Sequence, residues 1–208
     1  MQPAFEIITT VAARDPGPDR KYTMLRPKSV LRPWIEAAAE NDVHVVLDLQ
    51  PGRSHFLDQA KEYEEFLREP HVGLALDPEW RITNTQVHGN QIGSVDAKEI
   101  NEVSKWLAEL TREHELPQKM LILHQFTDGM ITNRSQVDTS HKELAITLHA
   151  DGHGGRELKF ATWNRLQRNL PDGIWMAWKN FHKQDTPTFT PQQTYQDVEP
   201  KPWFVSYQ

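Results

Sequence analysis

Short apolar runs alternate with longer amphipathic stretches along the whole chain. The runs at 5–11, 43–49, 72–77, 120–126, 144–149 and 174–178 read as strands, and 203–207 reads as a seventh strand or a C-terminal strap. Between them, 29–41 carries Val30, Leu31, Trp34, Ile35 and Ala38 at helical spacing. Residues 54–68 open on Ser54 as a candidate N-cap and place Phe56, Leu57, Ala60, Tyr63 and Leu67 on one face. Residues 94–114, capped by Ser94 or Asp96, show an Ile100, Val103, Trp106, Leu107, Leu110 stripe, and 156–169 carries Leu158, Ala161, Trp163 and Leu166. The proline-rich stretches 15–27 and 187–202 read as a long loop and an irregular tail. Strand–helix alternation at this period predicts an α/β fold with a parallel sheet, in one domain spanning 1–208.

The polar residues fall at the C-terminal edge of each strand. One strand ends Leu47-Asp48-Leu49-Gln50 and the next Leu76-Asp77-Pro78-Glu79-Trp80; later ones end Leu123-His124-Gln125-Phe126, His149-Ala150-Asp151-Gly152-His153 and Trp178-Lys179-Asn180-Phe181. In parallel α/β folds the loops leaving that edge converge on the ligand site. Alternation places Val46, Asp48 and Gln50 on one parity, with Gly73, Ala75, Asp77 and Glu79 together on the next strand and Ala145, Thr147, His149 and Asp151 together on a third. Small residues inward, aliphatics outward and polar groups at the top predict a (β/α) TIM-barrel-like fold of about six or seven parallel strands. A closed barrel takes ~250 residues. The 208 residues here, opening directly on an apolar run, therefore predict an incomplete barrel whose missing βα units would precede Met1. The resulting open edge could support self-association.

Composition narrows the function classes. There is no cysteine, which excludes disulfides, thiolate metal sites and cysteine nucleophiles. The net charge of −6, without any Lys/Arg run, argues against nucleic acid. No stretch approaches the ~18 apolar residues of a membrane span, and Met1–Thr10 lacks the features of a secretory signal.

Glycoside hydrolysis needs two carboxyl groups ~5 to 9.5 Å apart, and strand ends of a barrel supply carboxylates at such distances. Glu79 is the candidate general acid/base, with Asp48 or Asp151 as nucleophile or base. Asp77, Gln50, His124, His149, Trp178, Asn180 and Trp80 are candidate substrate contacts, since sugars stack on aromatic faces and bond amides; Lys179 is placed to bond hydroxyls. This reading needs no cofactor and no metal. An alternative takes His124, His149 and His153 with Asp151 and Asp77 as the ligands of a metal-dependent hydrolase. Another is a non-catalytic glycan-binding barrel. The absence of a Gly-x-Ser-x-Gly elbow argues against a serine hydrolase.

The segments Val45–Arg53, Gly73–Trp80, Leu123–Phe126, Trp178–Phe181 and Phe204–Gln208 resemble a family of actinobacterial exported or lipoprotein-type proteins. The resemblance covers nearly the whole chain. It implies a glycosidase-like fold and an exported or cell-envelope setting, and it carries over no catalytic residue.

Overall fold

The computed structural model describes residues 1–208. In chain order its elements are β1 (Ala4–Ala12), β2 (Thr23–Leu25), α1 (Lys28–Glu40), β3 (His44–Leu49), α2 (Phe56–Glu62), α3 (Glu64–Leu67) and β4 (Val72–Leu76). They continue with β5 (Val95–Asp96), α4 (Ala97–Glu113), β6 (Lys119–Gln125), β7 (Ile131–Thr132), β8 (Leu144–Ala150), α5 (Arg156–Leu166), β9 (Trp175–Asn180), α6 (Pro191–Asp197) and β10 (Phe204–Tyr207).

Eight strands form one sheet in the order β10-β9-β8-β6-β4-β3-β1-β2, and all neighbours are parallel except the antiparallel pair β1–β2. Apart from β2, spatial order follows chain order without reversal. That is the winding of a barrel, whereas a doubly wound sheet reverses at a switch point. The sheet does not close: β2 and β10 are its two edges. The architecture is therefore an α/β fold built on a mostly parallel, curled half-barrel.

The curl can be measured from one contact. Three strand intervals separate β1 from β6, ~14 Å across a flat sheet. Yet Glu6 Oε1 of β1 lies 2.6 Å from His124 Nε2 of β6 on the concave side. Only a strongly bent sheet brings those side chains together.

The outward parity of the strands, including Leu47, Leu49, Leu74, Leu76, Leu121, Leu123, Ile146 and Leu148, joins the buried faces of the helices in one cluster of 36 buried apolar residues. Burying each such aliphatic contributes ~1.5–3 kcal/mol. Inward, only Val46, Ala75 and Ile122, with Met120 and Phe204 against them, form a small apolar floor. No helix is long and apolar enough to cross a membrane.

Three local expectations are corrected. The helix expected over 54–68 is broken at Tyr63, whose hydroxyl donates to the carbonyls of Thr9 and Arg26 at 2.9 and 3.0 Å. Ser54 does not cap it. His55 occupies the cap position, and Glu99 of α4 accepts from Phe56 N at 2.9 Å, so the capping carboxylate comes from another helix. The tail is also not wholly irregular: Thr190 and Gln193 form a capping box with Pro191 in the first turn, which starts α6.

Candidate functional site

A cleft of about 1540 Å³ runs along the concave face. Its lining includes Glu6, Asp48, Gln50, Asp77, Glu79, Trp80, Phe126, Asp151, His153, Lys179, Phe181, Trp203 and Ser206. Of the residues expected at the strand ends, Asp48, Gln50, Asp77, Glu79, Trp80 and Asp151 thus reach one space. The inward parity of β3, β4 and β8 carries Asp48, Gln50, Asp77 and Asp151 there, and the turn after β4 presents Glu79 and Trp80.

His124 and His149 form the polar bed beneath the cleft. Both are fully buried, with ring centroids 4.9 Å apart. His124 is gripped from both sides: Nε2 meets Glu6 Oε1 at 2.6 Å, and Nδ1 meets Asp151 Oδ2 at 3.0 Å. Asp48 Oδ1 approaches Nε2 at 4.0 Å. His149 Nε2 meets Ser206 Oγ of β10 at 3.1 Å.

Electrostatics separate these groups. Burial opposes the charge on His124, but Glu6 and Asp151 outweigh it and hold the imidazolium pKa well above its ordinary value. Burial likewise opposes ionising Glu6 and Asp151, and their bonds to His124 reverse the balance, so both pKa values lie below the usual carboxylate range. Asp48 is pushed up to about 7, first by burial and then by Glu6 and Asp151 despite nearby His124. Burial and neighbouring carboxylates also raise Asp77 and Glu79, with Asp151 acting on both. His149 falls to about 3 through burial, with His124 and Lys179 adding to it. The Lys179 ammonium is stabilised by Glu6, Asp151, Asp48 and Asp77 against its own burial.

Several buried atoms in this bed have no hydrogen-bond partner, among them Asp48 Oδ1, Asp151 Oδ1 and His149 Nδ1. Orphaned polar atoms are uncommon in folded proteins, so three on one cleft floor mark a place built to meet something else.

Local structure holds the rim. Residues Pro78–Trp80 form a single 3-10 turn in which Asp77 accepts from Glu79 N at 3.2 Å. Asp77 therefore shapes the turn that presents Glu79. Gly93 N donates to Glu79 O at 2.7 Å, and a Cβ at Gly93 would lie 2.5 Å from the carbonyls of Pro78, Glu79 and Arg81, so the close approach requires glycine. The half-buried Arg81 guanidinium then ties the turn to Glu99 at 3.1 Å.

On the opposite rim, Lys159 of α5 is buried and donates to Gly152 O at 3.0 Å, Lys179 O at 2.7 Å and Asp185 Oδ2 at 2.9 Å. Asp185 accepts in turn from Gly154 N and Phe181 N, both at 2.9 Å. This clamp fixes the backbone beside Asp151 and Lys179.

Some expected contacts lie elsewhere. Trp178 is 1% exposed and packs against Phe160, Trp163 and Phe189 on the convex side. Asn180 is buried with it, accepting from Trp178 Nε1 at 3.0 Å and donating to Thr194 Oγ1 at 3.2 Å. Both have the parity opposite to Lys179, so neither lines the cleft. His153 lines the cleft with its ring against Phe181, away from the His124–His149 pair, so the histidine set expected for a metal does not assemble as one group.

Sequence reasoning missed Glu6, Ser206, Lys159 and Asp185. For Glu6 the signal was present: a lone carboxylate inside an otherwise apolar strand. Comparison with family models, with curated proteins and with solved structures finds no match to this chain.

Proposed function

We propose that this protein is a glycoside-hydrolase-like enzyme that accepts a polysaccharide or glycoconjugate along its concave cleft. Glu79 acts as the proton donor and Asp151 as the ionised partner, with Asp48 deeper in the floor. The observation that carries this reading is the convergence of carboxyl groups on one open cleft, with free oxygens of Asp48 and Asp151 on its floor. Asp48 and Asp151 approach the same imidazole at 4.0 and 3.0 Å, so the two candidate partners of Glu79 share one place on the floor.

Size supports a polymeric substrate. The 1540 Å³ cleft exceeds the ~300–1,000 Å³ typical of small-molecule sites. Trp80, Phe126, Phe181 and Trp203 along its length give faces on which sugar rings stack. The resemblance of the Leu-Asp-Pro-Glu-Trp and Leu-His-Gln-Phe segments to an envelope-associated family points to cell-envelope glycans as the first substrates to try.

The test is release of reducing ends from a panel of envelope glycans by wild type, Glu79→Gln and Asp151→Asn. Loss of a general acid or base costs ~10²–10⁴-fold in rate, and that loss is expected in both variants. Full activity in Glu79→Gln would remove Glu79 from its role. A glycan that raises the melting temperature without being cleaved would make the cleft a binding site instead.

A further inference from the structure

The geometry points to a divalent-cation site of the zinc class on the cleft floor, made by Glu6, His124 and His149 with Asp48 as a fourth donor. One donor atom from each of Glu6, His124 and His149 lies within 4.8 Å of the other two. Two imidazoles and a carboxylate are a donor set suited to zinc, whose ligands sit at ~2.0–2.2 Å. Glu6 and His124, now hydrogen-bonded at 2.6 Å, would part to admit the ion as their shared proton leaves, and the third donor would draw in.

Two further observations concern the same residues. Asp48 Oδ1 and His149 Nδ1 are buried and unpartnered, and Asp48 Oδ1 is 4.0 Å from His124 Nε2. Asp151 Oδ2 meets His124 Nδ1 at 3.0 Å, the carboxylate–histidine arrangement that fixes a ligand's tautomer and frees its other nitrogen for the metal. Ser206 Oγ holds His149 Nε2 in the same way at 3.1 Å. The site comes from four strands, β1, β3, β6 and β8, so the sheet itself fixes its span.

Binding exchanges protons for one ion: the proton between His124 Nε2 and Glu6 leaves to solvent, and so does any proton that Asp48 carries before it can serve as a donor. His124 keeps its Nδ1 proton on Asp151. The Lys179 ammonium faces the same carboxylates and competes for them. This site stands apart from the glycan reading, because it requires only that the folded chain hold an ion.

Full-length protein stripped by chelator would be titrated with Zn²⁺ by calorimetry and with Co²⁺ by visible absorption. About one equivalent of each is expected, with the intense visible bands of low-coordinate cobalt and release of protons. Asp151→Asn is expected to weaken binding by ~10–100-fold. Lys179→Met removes a like charge and is expected to tighten it, an outcome that misfolding cannot mimic. Failure of the folded wild type to take up a stoichiometric ion would overturn the site. So would uptake left unchanged by Glu6→Gln, Asp151→Asn and Lys179→Met alike, which would place the ion on surface histidines.

Discussion

The two faces of one sheet obey opposite rules. On the convex face, alternate residues of β3, β4, β6 and β8 are mostly leucine, isoleucine and valine, sealed under the helices in one apolar cluster, with Lys119 the buried charge at its edge. On the concave face, the same strands carry Asp48, His124 and His149, with Asp77 and Asp151 just past their ends. Five carboxyl groups and a lysine line the cleft above two buried imidazoles, and the apolar cluster on that side has only three buried members. One face stores folding free energy. The other is divided: neighbours outweigh desolvation at Glu6, His124, Asp151 and Lys179, while at Asp48, Asp77 and Glu79 burial is not repaid.

The sharpest break of this contrast is on the convex side. Trp163→Ala removes a fully buried indole that packs on Trp178 and donates to Glu199 O at 2.7 Å. It is expected to cost ~3–5 kcal/mol in urea unfolding. On the concave side Asp48→Asn should do the reverse. It deletes a desolvated carboxyl beside Glu6 and Asp151 and is expected to raise stability by ~1–2 kcal/mol at pH 8. A loss as large as that of Trp163→Ala would show that the concave face is also held by packing.

The lower rim offers a smaller, pH-dependent version. Burial, with Lys119 and His71 adding to it, lowers the His44 pKa from 6.5 to about 4. Between those values the unfolded chain binds more protons than the native one, so His44 makes stability fall as pH drops from 6.5 through 4. Partial exposure screens the effect, leaving ~1–2 kcal/mol. His44→Gln should flatten that part of the stability–pH curve, measured by thermal unfolding, and an unchanged curve would clear His44. The smallest effect is at the surface of the helical layer, where Lys28 pairs with Glu65 at 3.3 Å with both side chains over two-fifths exposed. Lys28→Arg keeps the charge and should change stability by under ~0.5 kcal/mol in urea unfolding.

The same asymmetry explains what could be read in the sequence. Parallel strands appear as apolar runs, so six of the main sheet were legible and 203–207 was open between a seventh strand and a strap, and the position of polar residues at run ends located Asp48, Asp77, Glu79 and Asp151. Parity also assigned the faces where it was applied. Applied to β9, it would have sent Lys179 to the cleft and Trp178 and Asn180 to the core. The short antiparallel β2 was hidden in a proline-rich stretch, since three residues carry no period. Glu6 was beyond reach as a partner for His124, because their contact depends on the bend of the sheet, and no local pattern encodes curvature. The Lys159–Asp185 clamp was concealed for a related reason: a lysine on a helix reads as solvated until the loops it pins are known.

The bend has a consequence for how the molecule comes together. Each parallel strand pairs with the one before it in the chain, so the sheet can grow strand by strand through contacts of modest sequence separation. The Glu6–His124 bond, spanning 118 residues, breaks that economy. It cannot form until β1, β3, β4 and β6 are laid side by side, and Asp151 and Ser206 join only with β8 and β10. During refolding the helical layer and its tryptophans should therefore acquire native fluorescence before the histidine pair acquires its native environment. The chemistry of the cleft is the last thing the chain learns.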